Sequence, residues 1–476
     1  MRKQTLLYPV IIGIFGGLIW FIINQGNHLP VNGGGGAVPV ATAAPLSLGQ
    51  QWLDTIRHPL SLLLLQIILI VVTARVFGKL ARYIKQPAVV GEIVAGICLG
   101  PSLLGWLLPG GSSFLFPAES LKTLQFLSQI GLAFFMFIVG MELDASKVKN
   151  KAHVAVMISH VSIVFPFFLG VWLAYYIFPN FAPANVGFIS FALFMGIAMS
   201  ITAFPVLARI VQERKLSGTP LGILAITCAA ADDVTAWCIL AAVVAIAKAT
   251  GFAGTLITLG AALLFVGIML YVIKPWLGKQ IRKYTAAGNK VAAVATVFLV
   301  VLLSAWITEV IGIHALFGAF LAGVIMPADA TIKTWLTDKV EDISVLLLLP
   351  IFFAFTGLRT QIGLLSAGHL WAVFGLIMLV AVGGKFGGSA LTARLMGQSW
   401  TDATAIGALM NTRGLMELIV LNLGYDLGIL SPEIFAMLVL MALATTFMTG
   451  PLLDMVKHFE SKRSWKASGP MKASLE

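Results

Sequence analysis

Apolar residues run along this chain in blocks of about twenty, separated by glycines, prolines and clusters of charge. A helix of about 20 apolar residues crosses the hydrocarbon core of a bilayer. One block covers about 6–23. Thirteen more start near 59, 87, 121, 152, 186, 219, 253, 289, 312, 340, 369, 400 and 432. The pattern predicts an all-α polytopic membrane protein with thirteen spans and one extra N-terminal apolar helix. Residues 1–23 read as a retained anchor helix. Met1-Arg2-Lys3 before an apolar run resembles a signal peptide, but the A-x-A-like site Ala41-Thr42-Ala43 lies far beyond that run. Residues 24–58, with Gly33–Gly36, read as a flexible external linker. The membrane domain is expected over 59–456 and a basic, disordered tail over 457–476.

Composition narrows the class. The chain is 59% apolar and 11% charged, against roughly 25% charged for a soluble domain. That excludes a soluble enzyme of this length. The net charge of +11 would suit nucleic acid, but its placement argues against it. With the N-terminus inside, 25 of the 31 Lys and Arg fall at cytoplasmic ends. Only Arg57, Lys122, Lys248 and Arg359 fall outside, and Lys385 and Arg413 sit within spans. Cytoplasmic loops of membrane proteins carry this excess, so the charge marks topology and puts both termini in the cytoplasm. Cys98, Cys228 and Cys238 lie in apolar segments without metal-ligand spacing and read as small buried hydrophobes.

A weak duplication runs through the spans. Gly91-Glu92-Ile93-Val94-Ala95-Gly96 is similar to Gly318-Ala319-Phe320-Leu321-Ala322-Gly323. Phe134-Phe135-Met136-Phe137 precedes Gly140 as Phe352-Phe353-Ala354-Phe355 precedes Gly357. Each pair is seven spans apart, and an odd offset gives the copies opposite orientations. Inverted repeats with a midplane site are a transporter signature.

Two spans carry interruptions near their midpoints. One contains Ser200-Ile201-Thr202-Ala203-Phe204-Pro205, the other Asn411-Thr412-Arg413-Gly414. Proline lacks an N–H and disrupts the preceding turn. A break exposes partial charges at the inner helix ends. Carbonyls freed near Thr202 would suit a cation, and charged side chains nearby would offset the helix ends.

Asp232 and Asp233 stand side by side in the span from about Pro220 to Lys248. Charge at bilayer depth costs several kcal/mol unless paired or hydrated, so such residues mark ion or proton sites. Lys385, among four glycines, lies at similar depth, as do Thr202 and Arg413. A buried lysine and a buried carboxylate compensate each other. Adjacent helical residues point about 100° apart. One aspartate can therefore pair with Lys385 while the other faces a water-filled cavity. Arg413 and Glu417, spaced i, i+4 on one helix face, either pair with each other or neutralise a half-helix end. Glu92 and Glu309 lie nearer span ends and read as helix-end or entrance groups. His314 reads as a loop residue, and Glu142 and Asp144 as solvated cytoplasmic acids.

Four stretches carry a resemblance: Ala198-Met199-Ser200-Ile201-Thr202-Ala203-Phe204-Pro205-Val206-Leu207-Ala208-Arg209, Asp232-Asp233-Val234-Thr235-Ala236-Trp237, Gly312-Ile313-His314-Ala315-Leu316-Phe317-Gly318-Ala319-Phe320 and Asn411-Thr412-Arg413-Gly414-Leu415-Met416-Glu417-Leu418. Over about 59–456 the chain resembles the monovalent cation:proton antiporter-2 family, which includes bacterial sodium– or potassium–proton exchangers and plant cation/H+ exchangers. The resemblance implies thirteen spans in two six-span inverted repeats and a homodimer whose core domain, with crossed broken helices, moves. It implies that Asp233 is the ion-binding carboxylate. Asp232 matches a position held by Asp in electrogenic members and often by Asn in electroneutral ones. Lys385 matches the base that pairs with that preceding aspartate, and Thr202 the break in a crossed helix. The long soluble C-terminal domains of many relatives are not expected here.

The expected function is secondary antiport. A monovalent cation, Na+ or K+, and protons compete for Asp233 and Asp232 with Thr202, and the exchange is electrogenic. Lys385, Arg413 and Glu417 compensate charge. The alternative is a cation channel or uniporter using the same carboxylates, although no repeated carbonyl filter is visible. An intramembrane aspartyl protease would need carboxylates opposed from separate elements, so adjacent residues on one helix argue against an enzyme. No cofactor is expected beyond the transported ions. The expected setting is the bacterial inner membrane, with lipid around the spans.

Overall fold

The fold follows from where backbone polar groups go when no water is available. In hydrocarbon they must be satisfied within the segment, which leaves helices and closed barrels. The computed structural model describes residues 2–26, 55–142, 152–216, 218–248, 252–327, 335–337, 340 and 343–467, and its regular elements are all helical. Most of the linker assigned to 24–58, the site 41–43, residues 143–151 with Asp144, and the last residues of the tail lie outside these, as does the side chain of Glu142.

The chain divides into two units, 1–58 and 59–476. The first contains α1 (Arg2–Gly26), which includes the apolar stretch Gly13–Gln25.

The second unit holds the remaining helices. It opens with α2 (Pro59–Tyr83), α3 (Ala88–Leu99), α4 (Ala118–Glu142) and α5 (Ala152–Phe181). A broken span follows as α6 (Phe188–Ser200) and α7 (Phe204–Glu213), then α8 (Pro220–Lys248). Next come α9 (Phe252–Ile268), α10 (Lys274–Ala286), α11 (Lys290–Ile311), the short α12 (Ala315–Val324) and α13 (Leu349–Arg359). The chain ends with α14 (Gly368–Val382), α15 (Gly388–Leu395), the broken pair α16 (Trp400–Met410) and α17 (Leu415–Asp426), and α18 (Pro432–Ala467).

Among the described residues, eleven helices are long and apolar enough to cross a membrane, and the pair α16–α17, bent by 40°, makes twelve. The expected thirteenth, near 312, is α12. Its 10 residues rise only about 15 Å, half of a roughly 30 Å hydrocarbon core. A second difference lies at the C-terminus. The backbone expected to be disordered from 457 continues α18 as helix to Ala467. Extending an existing helix avoids the cost of nucleation.

The outward surface is apolar. Leu60, Leu64, Ile68, Val72, Val76 and Leu80 recur every fourth residue of α2 and are all exposed. Such a stripe is a liability in water but matches lipid. Cys98 is half-buried and Cys228 buried, but Cys238 is exposed, so its side chain faces outward and not into the expected core.

Helix contacts fall into two groups. α2, α3, α4, α11, α12 and α13 pack on one another and form a framework. α5, α6, α8 and α15–α18 pack on one another around the two breaks. The repeated glycines explain the framework. A side chain on Gly96 of α3 would strike the Ala354 backbone in α13, and one on Gly357 of α13 would strike Gly96 and Ile97. The same contact recurs with the repeats exchanged. Gly140 of α4 abuts the Phe320 carbonyl in α12, and Gly323 of α12 abuts the Phe137 carbonyl in α4. Small residues let backbones approach this closely in a membrane.

Candidate functional site

The two breaks cross each other. Ile201–Ala203 and Asn411–Gly414 leave the helical path, and Ala203 N donates to Thr412 O at 3.0 Å. Pro205 falls in the first turn of α7, where its missing N–H costs nothing. The second break is held by α18. Thr446 Oγ1 donates to Arg413 O at 2.6 Å and accepts from Arg413 N at 3.2 Å, and Thr449 Oγ1 lies 3.2 Å from Thr412 Oγ1.

A helix end leaves four carbonyls without intrahelical partners. At the C-terminus of α6 three of these are met by cations. Arg413 donates to Ala198 O at 2.5 Å and to Met199 O at 2.7 Å. Lys385 Nζ donates to Ser200 O. The carbonyls of Ala198, Met199 and Ser200, the three that precede the break at Thr202, are therefore met by protein donors. Positive charge at this end also offsets the negative helix terminus.

Arg413 pairs with Glu417 Oε2 at 2.7 Å, and both are fully buried. Pairing and helix-end neutralisation, posed as alternatives, occur together. The two do not share a helix face, however. Arg413 lies in the break and Glu417 in the first turn of α17.

Asp232 is saturated. Its Oδ1 accepts from Ser159 Oγ at 2.9 Å and Ser162 Oγ at 2.8 Å. Its Oδ2 accepts from Thr202 Oγ1 at 2.6 Å and Lys385 Nζ at 2.8 Å. Thr202 Oγ1 also lies 3.1 Å from Met410 O, the last carbonyl of α16. The third bond of Lys385 Nζ runs to Ser162 O at 2.8 Å. That carbonyl is available for a sequence reason. Pro166, four residues on, has no N–H to close the helical bond.

Asp233 is the opposite case. It is completely buried, and among the described residues neither oxygen has a hydrogen-bond partner. Its carboxyl faces the Phe204 backbone at the N-terminus of α7 without closing a bond. Helix N-termini present unpaired N–H groups and positive partial charge. A cavity of about 530 Å³ between α4 and α7 reaches Phe204 and Pro205. Asp233 does not line it, contrary to the expected water-facing position, because the first turn of α7 forms that wall.

The structure brings Asp232, Asp233, Thr202, Lys385, Arg413 and Glu417, all singled out from the sequence, together around the crossing. The sequence reading misses Ser159, Ser162 and Pro166 on α5. Their signal was two serines one turn apart, followed by a proline four residues after the second. It also misses Asn411, buried in the break with neither amide atom partnered among the described residues. Away from the crossing, His314 caps α12, its Nδ1 accepting from Leu316 N at 3.4 Å. Glu309 accepts from Ala315 N at 2.8 Å. Both act as helix-end groups.

Apolar spans, two interrupted helices that cross at their breaks and a buried carboxylate unpartnered among the described residues define a membrane transporter. The chain belongs to the sodium/hydrogen exchanger family, whose transmembrane profile matches residues 67–456. The Na(+)/H(+) antiporter NhaS4 of Synechocystis sp. is 46% identical over 83% of this chain and 97% of its own length. Cation/H(+) antiporter 17 of Arabidopsis thaliana is 40% identical over 84% of this chain and 49% of that one. K(+)/H(+) antiporter 1 of Saccharomyces cerevisiae is 34% identical over 84% and 46%. The chain spans about half the length of these plant and yeast relatives. The solved sodium proton antiporter MjNhaP1 of Methanocaldococcus jannaschii shares the fold, with a TM-score of 0.58 at 16% identity over 84% of this chain and 96% of that one.

Proposed function

We propose that this chain is a secondary antiporter exchanging a monovalent cation, Na+ or K+, for protons, with Asp233 as the group both contend for. One observation carries the reading. Of two adjacent buried aspartates, Asp232 has its oxygens filled by Lys385, Thr202 and two serines, whereas Asp233 has both oxygens unpartnered among the described residues. A buried carboxylate in that condition is costly. A proton or a cation relieves the cost, and the two exclude each other. Relatives named as Na(+)/H(+), K(+)/H(+) and cation/H(+) antiporters support exchange over a channel.

The empty, charged core crosses poorly, because uncompensated charge at bilayer depth is expensive. Exchange is therefore obligatory. Beside Asp233 the site holds a second ionisable pair, Asp232 and Lys385, whose lysine carries the further proton that a bound cation would displace. Exchange of more than one proton per cation follows. The working form is a homodimer in a bacterial inner membrane, with the Arg209 and Arg214 side in the cytoplasm.

Everted vesicles containing the protein should alkalinise their acid interior when Na+ or K+ is added, and an imposed voltage should shift the equilibrium ion ratio. No cation-driven pH change with Na+, K+ or Li+ at any pH defeats antiport. A ratio indifferent to voltage defeats the electrogenic reading alone. Orientation has its own check. A reporter active only in the cytoplasm, fused after Glu476, should be active, and silence would reverse the topology.

A further inference from the structure

The two helix groups part between α4 and α7 on one side, where Gln86 still donates to Phe447 O of α18 at 3.3 Å, and are tied by a longer polar chain on the other. On the Arg209 side, α4 of the framework and α7 stand around the cavity of about 530 Å³. On the Arg359 side the space between α4, α13 and α17 is only about 30 Å³, with Gln125, Ser128, His314, Asn422 and Asp426 among its walls.

That narrow side carries a continuous polar chain between the groups. Arg359, the last residue of α13, pairs with Asp426, the last residue of α17, at 2.6 Å. Its guanidinium lies 4.2 Å from the Phe355 ring centroid and 5.5 Å from that of Tyr425. Gln125 of α4 donates to the other Asp426 oxygen at 2.9 Å. One turn deeper, Asn422 Nδ2 donates to Thr356 Oγ1 at 2.8 Å. Gln125, Thr356 and Arg359 belong to the framework; Asn422 and Asp426 belong to the helices around the breaks. Lys248 and Glu309 stand 3.9 Å apart between α8 and α11.

We infer that Gln125, Arg359 and Asp426 form a latch that holds the outer entrance shut while the site faces the cytoplasm, with Asn422 and Thr356 as its inner bolt. The inference rests on the exchanger reading, in which the breaks move against the framework. Asp426 is the hub: it accepts from two framework helices at once, so separating the groups breaks both bonds together. The aromatic rings hold Arg359 in place, which lowers the entropy lost in pairing compared with a free surface ion pair. A latch of this kind biases a two-state equilibrium by contacts made in one state alone.

Accessibility tests it without any ion flux. In a protein with Cys98, Cys228 and Cys238 replaced by Ala, Ser128→Cys places a thiol in the narrow space, where Ser128 is 1% exposed. A membrane-impermeant thiol reagent added from the Arg359 side should label it slowly. Asp426→Asn should speed labelling by about tenfold, as expected when a charge-assisted contact is lost from one state. Gln125→Leu, which strands no charge, should speed it severalfold. The double variant Arg359→Gln/Asp426→Asn should label no faster than the faster single, because the two residues share one interaction. Unchanged labelling in both Asp426→Asn and Gln125→Leu, with thermal midpoints near the parent's, overturns the latch. Additive acceleration in the double overturns the shared network. Either failure leaves exchange at Asp233 standing, since no transport is measured.

Discussion

Asp233→Asn should bring cation-driven proton flux down to that of vesicles lacking the protein while leaving the fold intact or firmer. The substitution preserves shape and polarity and removes only the ability to carry negative charge and release a proton. Nothing in the described structure holds the carboxyl in place, because neither oxygen has a partner among the described residues. Stability therefore loses no contact; the amide keeps the buried polar atoms but sheds the charged form, so the midpoint holds or rises slightly. Two readouts should move apart: flux vanishes, and the thermal midpoint in detergent holds or rises. Retained full exchange in the variant removes Asp233 from its assigned role. A collapse of the midpoint alongside lost flux would instead make it a structural residue.

Lys385→Ala should have the largest effect on stability. It strands Asp232 at zero exposure and removes the donor from Ser162 O and Ser200 O in the same step. Breaking one partner from a buried ion pair costs about 3–5 kcal/mol. Asp232→Asn in the same chain should return part of that loss, because an amide can stay buried beside Ser159, Ser162 and Thr202 without an unpaired charge. The four-protein cycle separates the pair's coupling from the single losses. Equal midpoints for the parent and Lys385→Ala would show that the pair does not hold the crossing together.

Much of this was readable in the chain because the governing signals are local. Span positions depend on runs of neighbouring residues, and charge placement on the loops beside them. The depth of Asp232, Asp233, Lys385, Thr202 and Arg413 followed by counting within each span. What escaped depends on residues brought together from elsewhere. The resemblance assigns Lys385 to Asp232 and leaves Asp233 for the ion, but no neighbouring residue says why Asp232 is filled while Asp233 has no partner among the described residues. Ser159, Ser162 and the carbonyl exposed by Pro166 decide that, some 70 positions away. The break at Thr202 was legible, but the occupants of its carbonyls were not, since Arg413 lies 214 positions from Met199. Arg359 counted only as one of the few outer charges, and its link to Asp426 needed the ends of α13 and α17 side by side.

The paired glycines have a mechanical consequence. Where main chain rests on main chain, no side chain is left to swing into another rotamer, and that joint has no soft degree of freedom. Two such joints, related by exchanging the halves of an ancient duplication, brace the framework like a truss. Any stroke that carries an ion must then be taken up where the joints are missing, along the seam beside α7, so wear by mutation should be tolerated along that seam long before it is tolerated at Gly96, Gly140, Gly323 or Gly357.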